Sequence, residues 1–316
     1  MRRALKALRK RLVGTDAVPV AGPLRATEPD THPQPLDTQP PYATADPFAR
    51  YRLQRELARG AMGTVHEAVD VSSGRVVALK VMPLPRGADA ASLADERERF
   101  ARESLAARRL HHPGIVEVYD AGDDGRHLWL AMELVPGRDL TGHTRPGQLL
   151  PVAQVLRIGT AVARSLAHAH RQGVVHRDIK PANVIYDAAS GSTKVADFGV
   201  AHLADATRTR TGLVLGTPSY MPPEQIAGRK VDGRADLYAL GVTLFQLLTG
   251  RLPFAQASMA ALLAAIAQQP PPDIRSLRPE LPEALAQVIA LALQKRPELR
   301  YADGDQMATD LEAGLI

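Results

Sequence analysis

The chain has 316 residues, enough for one large or two ordinary domains with a full core. It contains no cysteine, which excludes disulfides and cysteine-based catalytic or metal chemistry, and it has no apolar run long enough for a membrane-spanning helix. Residues 1–13 hold six basic and no acidic side chains; without them, 33 basic and 34 acidic residues remain of the chain whose net charge is +5. The body is therefore near neutral, which gives no indication of nucleic-acid binding.

The first thirteen residues predict a basic amphipathic segment. Leu5, Leu8 and Leu12 would share one side of a short helix, with cations on the other. Such a segment could contact anionic lipid or an acidic partner at the membrane periphery, and a solvated, partly helical tail is the alternative. No adequate apolar core follows the cations, so a signal peptide is not predicted.

Composition divides the rest of the chain into three parts. Residues 14–50 are rich in Pro and poor in large apolar groups, which is typical of a disordered linker. Residues 51–136 are strand-like and punctuated by turns, with one helical segment, and residues 137–316 are dominated by the helical period. A small β-rich lobe followed by a larger helical lobe is expected.

A glycine-containing segment, Leu57–Val65, lies between the first two predicted strands. Gly60 and Gly63 would allow a close approach of the backbone to phosphate, with N–H groups as donors. Two glycines three residues apart are also typical of a hairpin turn, and a Walker A loop is absent from the sequence.

A lysine in an apolar strand is the next notable feature. Val76–Met82 predicts a strand with Lys80 and Ala78 on one face, and a buried lysine requires a partner. Residues 92–110 predict a helix that carries Glu103 on its apolar stripe. We therefore expect Lys80 to pair with Glu103; a pair between Glu103 and Arg99 on the same helix is the alternative.

The segment His176–Asn183 contains three groups that can handle phosphate or metal: Asp178, Lys180 and Asn183. A predicted β-hairpin follows and returns the chain at Asp197. Asn183 and Asp197 should therefore lie side by side as oxygen ligands for a hard cation such as Mg²⁺. A charged surface loop is the alternative interpretation. Further on, Asp232–Thr249 predicts a buried helix with Asp236 near its start and a glycine cap.

The order and spacing of these elements resemble protein kinases over roughly residues 51–313, in particular the bacterial Hanks-type serine/threonine kinases. The resemblance implies an α+β, bilobal protein kinase fold with a small β-rich N-lobe and a larger α-helical C-lobe. It implies ATP and Mg²⁺ as cofactors, with Mn²⁺ as an alternative metal. Asp178 would be the catalytic base, Lys180 would neutralise the γ-phosphoryl group, and Lys80 fixed by Glu103 would hold the α- and β-phosphates.

The resemblance also implies a nucleotide pocket. Met132 would be the gatekeeper, the backbone of Glu133 and Val135 would bind adenine, and Asp139 would reach the ribose. The full set of implied nucleotide-binding residues is Leu57, Ala58, Arg59, Gly60, Ala61, Met62, Gly63, Thr64, Val65, Ala78, Lys80, Met132, Glu133, Val135, Asp139 and Ile185. Ala58 stands where the family usually has its first glycine, which should weaken phosphate clamping modestly.

Substrate class and control are also implied by the resemblance. Lys180 and the segment 216–220 are typical of kinases that phosphorylate serine or threonine in proteins. The threonines of the segment 207–211 correspond to an activation loop that such kinases autophosphorylate, and Arg177 could receive the phosphate. The candidate phosphorylation sites are Thr207, Thr209 and Thr211. Glu224 would form a stabilising pair with Arg300.

We therefore expect a cytoplasmic bacterial serine/threonine protein kinase that acts in signal transduction. Its partners would be protein substrates and a second copy for trans-autophosphorylation, without nucleic acid and without a transmembrane segment. A pseudokinase-like ATP-binding scaffold is the main alternative, disfavoured because the full set of expected residues is present: Lys80, Glu103, Asp178, Asn183 and Asp197. A small-molecule kinase of related fold is a second alternative, disfavoured by the threonine-rich loop and the segments 216–220 and 221–224, which shape a peptide-docking surface in protein kinases.

Overall fold

Alternating strand sequence in the first lobe folds into an antiparallel sheet in the computed structural model, which describes residues 47–60, 63–85, 87–198 and 218–314. The sheet order is β1-β2-β3-β5-β4. Its strands are β1 (Tyr51–Gly60), β2 (Gly63–Asp70), β3 (Val76–Pro83), β4 (Val118–Asp123) and β5 (His127–Glu133). A single helical turn, α1 (Pro47–Arg50), precedes β1. The tail and linker predicted over residues 1–46 fall outside the described residues.

One long helix, α2 (Ala90–Ala107), packs against β4 and β5. Asp89 caps its start by accepting a 2.8 Å hydrogen bond from the Ser92 N–H. Its buried stripe includes Phe100 and Ala107. The predicted helix is confirmed, although it ends three residues before Leu110, which is buried beyond the helix end.

The second lobe is mainly helical among its described residues. Its α-helices are α3 (Val152–Arg171), α4 (Pro223–Ile226), α5 (Gly233–Thr249), α6 (Met259–Gln268), α7 (Glu283–Ala292) and α8 (Gly304–Ala313). Helix α5 is buried on nearly all sides, as its uniformly apolar sequence predicts. Asp232 caps its first turn, and Gly250 ends it at a φ of 73°, the left-handed conformation for which glycine was expected.

A buried ion pair connects distant parts of this lobe. The guanidinium of Arg300 donates hydrogen bonds of 2.6 and 2.8 Å to the two carboxylate oxygens of Glu224. Both residues are only 6% exposed, and the Arg300 guanidinium also lies over the ring of Tyr238. The predicted pair is thereby confirmed.

A second, smaller sheet has the order β6-β7-β8, formed by β6 (Arg138–Asp139), β7 (Val184–Tyr186) and β8 (Thr193–Val195). In the hairpin, Val184 faces Val195 and Tyr186 faces Thr193. The predicted hairpin between Asn183 and Asp197 is confirmed.

The predicted α+β architecture of a small β-rich lobe and a larger helical lobe is confirmed. The last strand of the large sheet ends at Glu133 and the smaller sheet begins at Arg138, on either side of the proposed boundary at 136 and 137. All of the described residues belong to one compact unit. None of the described helices is both long and apolar enough to cross a membrane.

Candidate active site

The candidate catalytic loop, His176–Asn183, is anchored by the buried side chain of His176. Its Nδ1 accepts a 3.2 Å hydrogen bond from the Asp178 N–H, so the ring proton is on Nε2. Nε2 donates a hydrogen bond of 2.7 Å to the carbonyl of Ala196. Its ring also packs edge-on against Phe198 at 4.6 Å between centroids. His176 therefore joins the loop to the end of the hairpin and is a structural residue.

A second anchor comes from helix α5. The fully buried carboxylate of Asp236 accepts hydrogen bonds from the backbone N–H groups of His176, at 2.8 Å, and Arg177, at 2.7 Å. Its Oδ2 also lies 2.8 Å from His170 Nε2. These bonds hold Arg177 at a φ of 68°, a left-handed conformation that costs a non-glycine residue free energy.

Asp178 is fixed by the two other polar groups of the loop. Lys180 Nζ lies 2.7 Å from its Oδ2, and Asn183 Nδ2 donates to the same oxygen at 3.1 Å and to the Asp178 carbonyl at 2.7 Å. The carboxylate remains 29% exposed, so it is both oriented and accessible. That combination suits a group that accepts a proton or a hydrogen bond from a substrate hydroxyl.

The side chains of Asn183 and Asp197 carry oxygen donors of the type that binds a divalent cation. The Ala196 N–H donates 2.9 Å to the Asn183 carbonyl, so the two ends of the hairpin are directly bonded next to Asp197. Because Asn183 Nδ2 is directed to Asp178, its amide oxygen is the atom available as a ligand. A neutral amide oxygen and a carboxylate are hard donors of the type that Mg²⁺ prefers.

Lys80 pairs with Asp197 in this structure. The Nζ–Oδ1 distance is 2.8 Å, and the lysine side chain is only 7% exposed. Burial alone would raise the pKa of the Asp197 carboxyl, but the attraction and hydrogen bond of Lys80 outweigh it and keep this pKa below its ordinary value. Asp197 itself has a left-handed φ of 63°.

Among the described residues, the expected ion pair between Lys80 and Glu103 is therefore not formed. Lys80 pairs with Asp197 instead. Glu103 lies on a partly buried side of α2, beside the buried Ser104. Both Glu103 and Asp197 could satisfy the buried ammonium group, and the tertiary structure brings Asp197 into contact with it. The role of Glu103 in nucleotide binding stays a prediction.

Residues predicted to surround adenine lie in one hydrophobic cluster. Ala78 and Met132 are buried and face each other across β3 and β5. Partly buried members of the same cluster come from β1, β2, the segment after β5, and β7: Leu57, Val65, Val135 and Ile185. The structure thus brings these side chains together, and their contact with a nucleotide stays a prediction.

Two polar residues of the predicted pocket already have structural contacts. The Glu133 N–H donates 2.8 Å to the Glu117 carbonyl, so of its backbone groups the carbonyl is the candidate for adenine. Asp139 caps the 3₁₀ helix Leu140–His143 by accepting a 2.9 Å bond from the Thr141 N–H. Its exposed carboxylate is therefore oriented before any ribose arrives.

The glycine segment forms the β1–β2 hairpin, with Gly60 opposite Gly63 and Arg59 opposite Thr64. Gly63 has a φ of 137°, and a Cβ there would lie 2.1 Å from the Val81 carbonyl oxygen. Glycine is therefore required by the fold at this position, independently of phosphate binding. Ala61 and Met62 lie outside the described residues.

Sequence reasoning missed one polar residue beside this site, Lys194. It lies in the middle of β8 and contacts the Glu133 carboxylate at 2.7 Å. The only indication in the sequence was a lysine within a short predicted strand, between Thr193 and Val195.

The candidate phosphorylation sites Thr207, Thr209 and Thr211 lie outside the described residues. Arg177, their proposed partner, has a buried Nε atom that finds no hydrogen-bond partner among the residues that the structure describes.

The two lobes, with the charged site between β3 and the β7–β8 hairpin, have the architecture of the protein kinase class. Residues 51–310 match the family described as "Protein kinase domain", and the chain belongs to this family. Members of this family use ATP and, in general, a divalent metal. The curated relatives reported below carry the name serine/threonine-protein kinase.

The chain is 42% identical over 274 residues to the serine/threonine-protein kinase PknJ of Mycobacterium tuberculosis, a match that covers 85% of this chain and 46% of the relative. It is 43% identical to Pkn1 of Myxococcus xanthus, over 80% of this chain and 36% of that kinase. The PknI kinase domain of Mycobacterium tuberculosis has a similar structure, with a TM-score of 0.69 and 36% identity over 86% of this chain and 99% of that one. The chain thus spans about half or less of the length of these curated relatives.

Proposed function

We propose that the chain transfers the γ-phosphoryl group of Mg²⁺-bound ATP to serine or threonine hydroxyls of proteins. The observation that carries this proposal is the Asp178 carboxylate, oriented by Lys180 and Asn183 yet partly exposed. Asp178 would accept the hydrogen bond of the substrate hydroxyl and orient its oxygen for attack. Lys180 would balance the charge of the phosphoryl group as it transfers.

The cation would bind to the Asn183 amide oxygen and the Asp197 carboxylate, where Mg²⁺ or Mn²⁺ neutralises phosphate charge when bound. Lys80 would then turn from Asp197 to the α- and β-phosphates, with Glu103 on α2 as its proposed acidic partner. The present Lys80–Asp197 contact supports this order of events, because each group neutralises the other until the nucleotide and cation arrive.

The adenine ring would bind between the cluster residues of β2, β3 and β7, with the Glu133 carbonyl and the Val135 backbone at its edge. The ribose would lie near Asp139. The β1–β2 hairpin would cover the phosphates with its backbone N–H groups, and Ala58 in place of a glycine would limit its flexibility.

A direct assay tests the proposed activity. The full chain is incubated with labelled ATP and Mg²⁺, alone and with a generic protein substrate, beside the variant Asp178→Ala. Transfer to serine and threonine by wild type, reduced by about 10³-fold or more in the variant, is expected. A wild-type chain that binds ATP without transferring phosphate would instead support a scaffold.

Autophosphorylation of Thr207, Thr209 or Thr211, in trans between two copies, is the proposed means of activation. The buried Nε of Arg177 supports it, since a phosphate would supply a hydrogen-bond acceptor for this guanidinium. Mass spectrometry after incubation with Mg²⁺ and ATP should find phosphate within residues 207–217. If these residues stay unmodified while protein substrates are phosphorylated, this proposal fails.

We also propose that the kinase acts in the cytoplasm, where ATP is available, with residues 1–13 in peripheral contact with the membrane. The six cations and three leucines of that segment support the contact. Sedimentation with anionic vesicles, compared with neutral vesicles and with the chain lacking residues 1–13, tests it. Equal recovery of the chain with anionic and with neutral vesicles would contradict the proposed membrane contact.

A further inference from the structure

Lys194 and Glu133 form an ion pair beside the nucleotide site. Lys194 Nζ lies 2.7 Å from both carboxylate oxygens of Glu133. The two side chains are only 18% and 25% exposed. Contact with both oxygens by partly buried groups is more directional than a solvated surface pair, so it restricts the positions of both residues.

The pair connects two parts of the site that come from different lobes. Glu133 ends β5, and its carbonyl is the group proposed to bind adenine. Lys194 lies opposite Ile185, a residue proposed to contact adenine, in the β7–β8 hairpin. Asp197, a proposed metal ligand, follows three residues later. The pair therefore joins the adenine edge to the hairpin that carries the metal-binding side chains.

The segment between α2 and β4 completes a closed ring of contacts. The Val195 N–H donates 2.8 Å to the Gly114 carbonyl, and the Val116 N–H donates 2.9 Å to the Val195 carbonyl. At the other end of the segment, the Glu117 carbonyl accepts a hydrogen bond of 2.8 Å from the Glu133 N–H. The Glu117 N–H donates a second hydrogen bond, of 3.3 Å, to Glu133 Oε2. Glu133 is thus held through both its backbone and its carboxylate.

We propose that Lys194 is a positioning residue for the adenine ring. Through Glu133 it sets the separation between the end of β5 and the β7–β8 hairpin, and thereby the height of the adenine pocket. This inference rests on the proposed function, because it assumes that ATP binds at that edge. Because Lys194 pairs with Glu133 and not with a proposed catalytic group, its removal should weaken nucleotide affinity rather than slow the chemical step.

Two variants of the full chain test the proposal. Lys194→Met removes the charge and keeps most of the side-chain stem, and Glu133→Gln removes the partner charge without altering the backbone. Binding of ADP with Mg²⁺, and of adenosine alone, is measured by calorimetry, and KM and kcat are measured for ATP. Each variant should lose about five- to tenfold in affinity for both ligands, with KM raised to match and kcat changed less than about twofold. The double variant should lose no more than either single one.

The control is Arg164→Met. Arg164 pairs with Glu312 at 2.7 Å between α3 and α8, where the side chains are 53% and 41% exposed. This variant should bind ADP and adenosine as wild type does. Lys194→Arg keeps the charge and should restore most of the affinity for ADP and adenosine that is lost in Lys194→Met. Such a rescue would show that the loss comes from the missing charge and not from unfolding.

Wild-type affinity of Lys194→Met for both ligands would overturn the inference. A loss for ADP without a loss for adenosine would also overturn it, because the effect would then act on the phosphates. A chain that binds both ligands in a Lys194-dependent way but transfers no phosphate would refute the proposed function and leave this inference standing.

Discussion

The Nζ of Lys80 lies 2.8 Å from Oδ1 of Asp197, so the lysine proposed to hold phosphate neutralises the carboxylate proposed to hold the cation. The lysine is nearly buried, and an unpaired ammonium group at that position would be costly. In the absence of nucleotide, a cation that binds at the proposed ligand Asp197 would therefore compete with Lys80.

Removing this competitor gives the first prediction. Lys80→Met should reduce phosphoryl transfer by roughly 10²-fold or more, because charge stabilisation at the phosphates is lost. The same variant should bind Mn²⁺ about tenfold more tightly without nucleotide, a change of about 1.4 kcal/mol. Steady-state kinetics and electron paramagnetic resonance titration of free Mn²⁺ measure the two effects.

Arg164→Met, which removes one positive charge from the helical lobe, is the matched control and should alter neither quantity. Mn²⁺ affinity that falls or stays constant in Lys80→Met would show that the ion pair does not compete with the cation.

Asp236 gives the second prediction, because it uses both carboxylate oxygens to accept hydrogen bonds from His170, His176 and Arg177. Asp236→Asn would direct an NH₂ group at one of these donors. We expect a loss of about 1–3 kcal/mol in the free energy of unfolding. We also expect kcat to fall by about tenfold or more, since catalytic-loop geometry is disturbed, with a smaller change in KM for ATP. Chemical denaturation and steady-state kinetics measure these quantities.

The control for this substitution is Asp303→Asn. Asp303 is an exposed residue that caps α8 by accepting from the Gln306 N–H, and asparagine caps helices about as well as aspartate. Equal kcat in wild type and Asp236→Asn would contradict the anchoring role.

The sequence predicted the parts of the site that depend on local pattern. The hairpin from Asn183 to Asp197 was predictable because two short apolar arms enclose a turn, and the buried acid at Asp236 was predictable because it interrupts an apolar helix. The partner of Lys80 was not, because Glu103 and Asp197 both satisfy the charge requirement and only the packing of the lobes chooses between them.

Contacts between distant segments were even less predictable from the sequence. Lys194 and Glu133 are 61 residues apart, and no pattern in the sequence links their two side chains. The left-handed φ of Arg177 likewise depends on the hydrogen bond that its N–H donates to Asp236 of α5, which lies further along the chain. Such features are visible only when tertiary structure places the partners.

The Arg300–Glu224 pair gives the third prediction. Because both side chains are buried, removing one leaves an uncompensated charge, and either Arg300→Met or Glu224→Gln should reduce the free energy of unfolding by about 3–5 kcal/mol. Replacing both should cost less than the sum of the two single changes. Denaturant unfolding followed by circular dichroism measures these losses.

The exposed Arg296–Glu298 pair, with a contact of 2.6 Å, is the control, and Arg296→Met should cost less than about 1 kcal/mol. Similar losses in Arg296→Met and Arg300→Met would show that the buried pair contributes no more than a surface contact.

Lys295 gives the fourth prediction, which concerns pH. Its Nζ lies 3.9 Å from the centroid of the Phe254 ring and donates 2.6 Å to the Ile266 carbonyl. Burial, with the repulsion of Arg300 added, lowers the pKa of Lys295 from 10.5 to about 8. Between these two pH values the unfolded chain binds the proton and the folded chain does not. The free energy of unfolding therefore increases as pH rises. Below pH 8 both states are protonated, and the full cost of burying the charge is present.

Lys295→Met lacks this titration. Thermal unfolding of both proteins between pH 7 and 9.5 should therefore show the melting temperature of wild type rising relative to the variant as pH increases. Lys230→Met is the control, because Lys230 is an exposed lysine of the same lobe, and its curve should run parallel to wild type. Parallel curves for wild type and Lys295→Met would contradict the prediction. They would mean that the contacts with Phe254 and Ile266 hold the ammonium group in its charged form as firmly as water does.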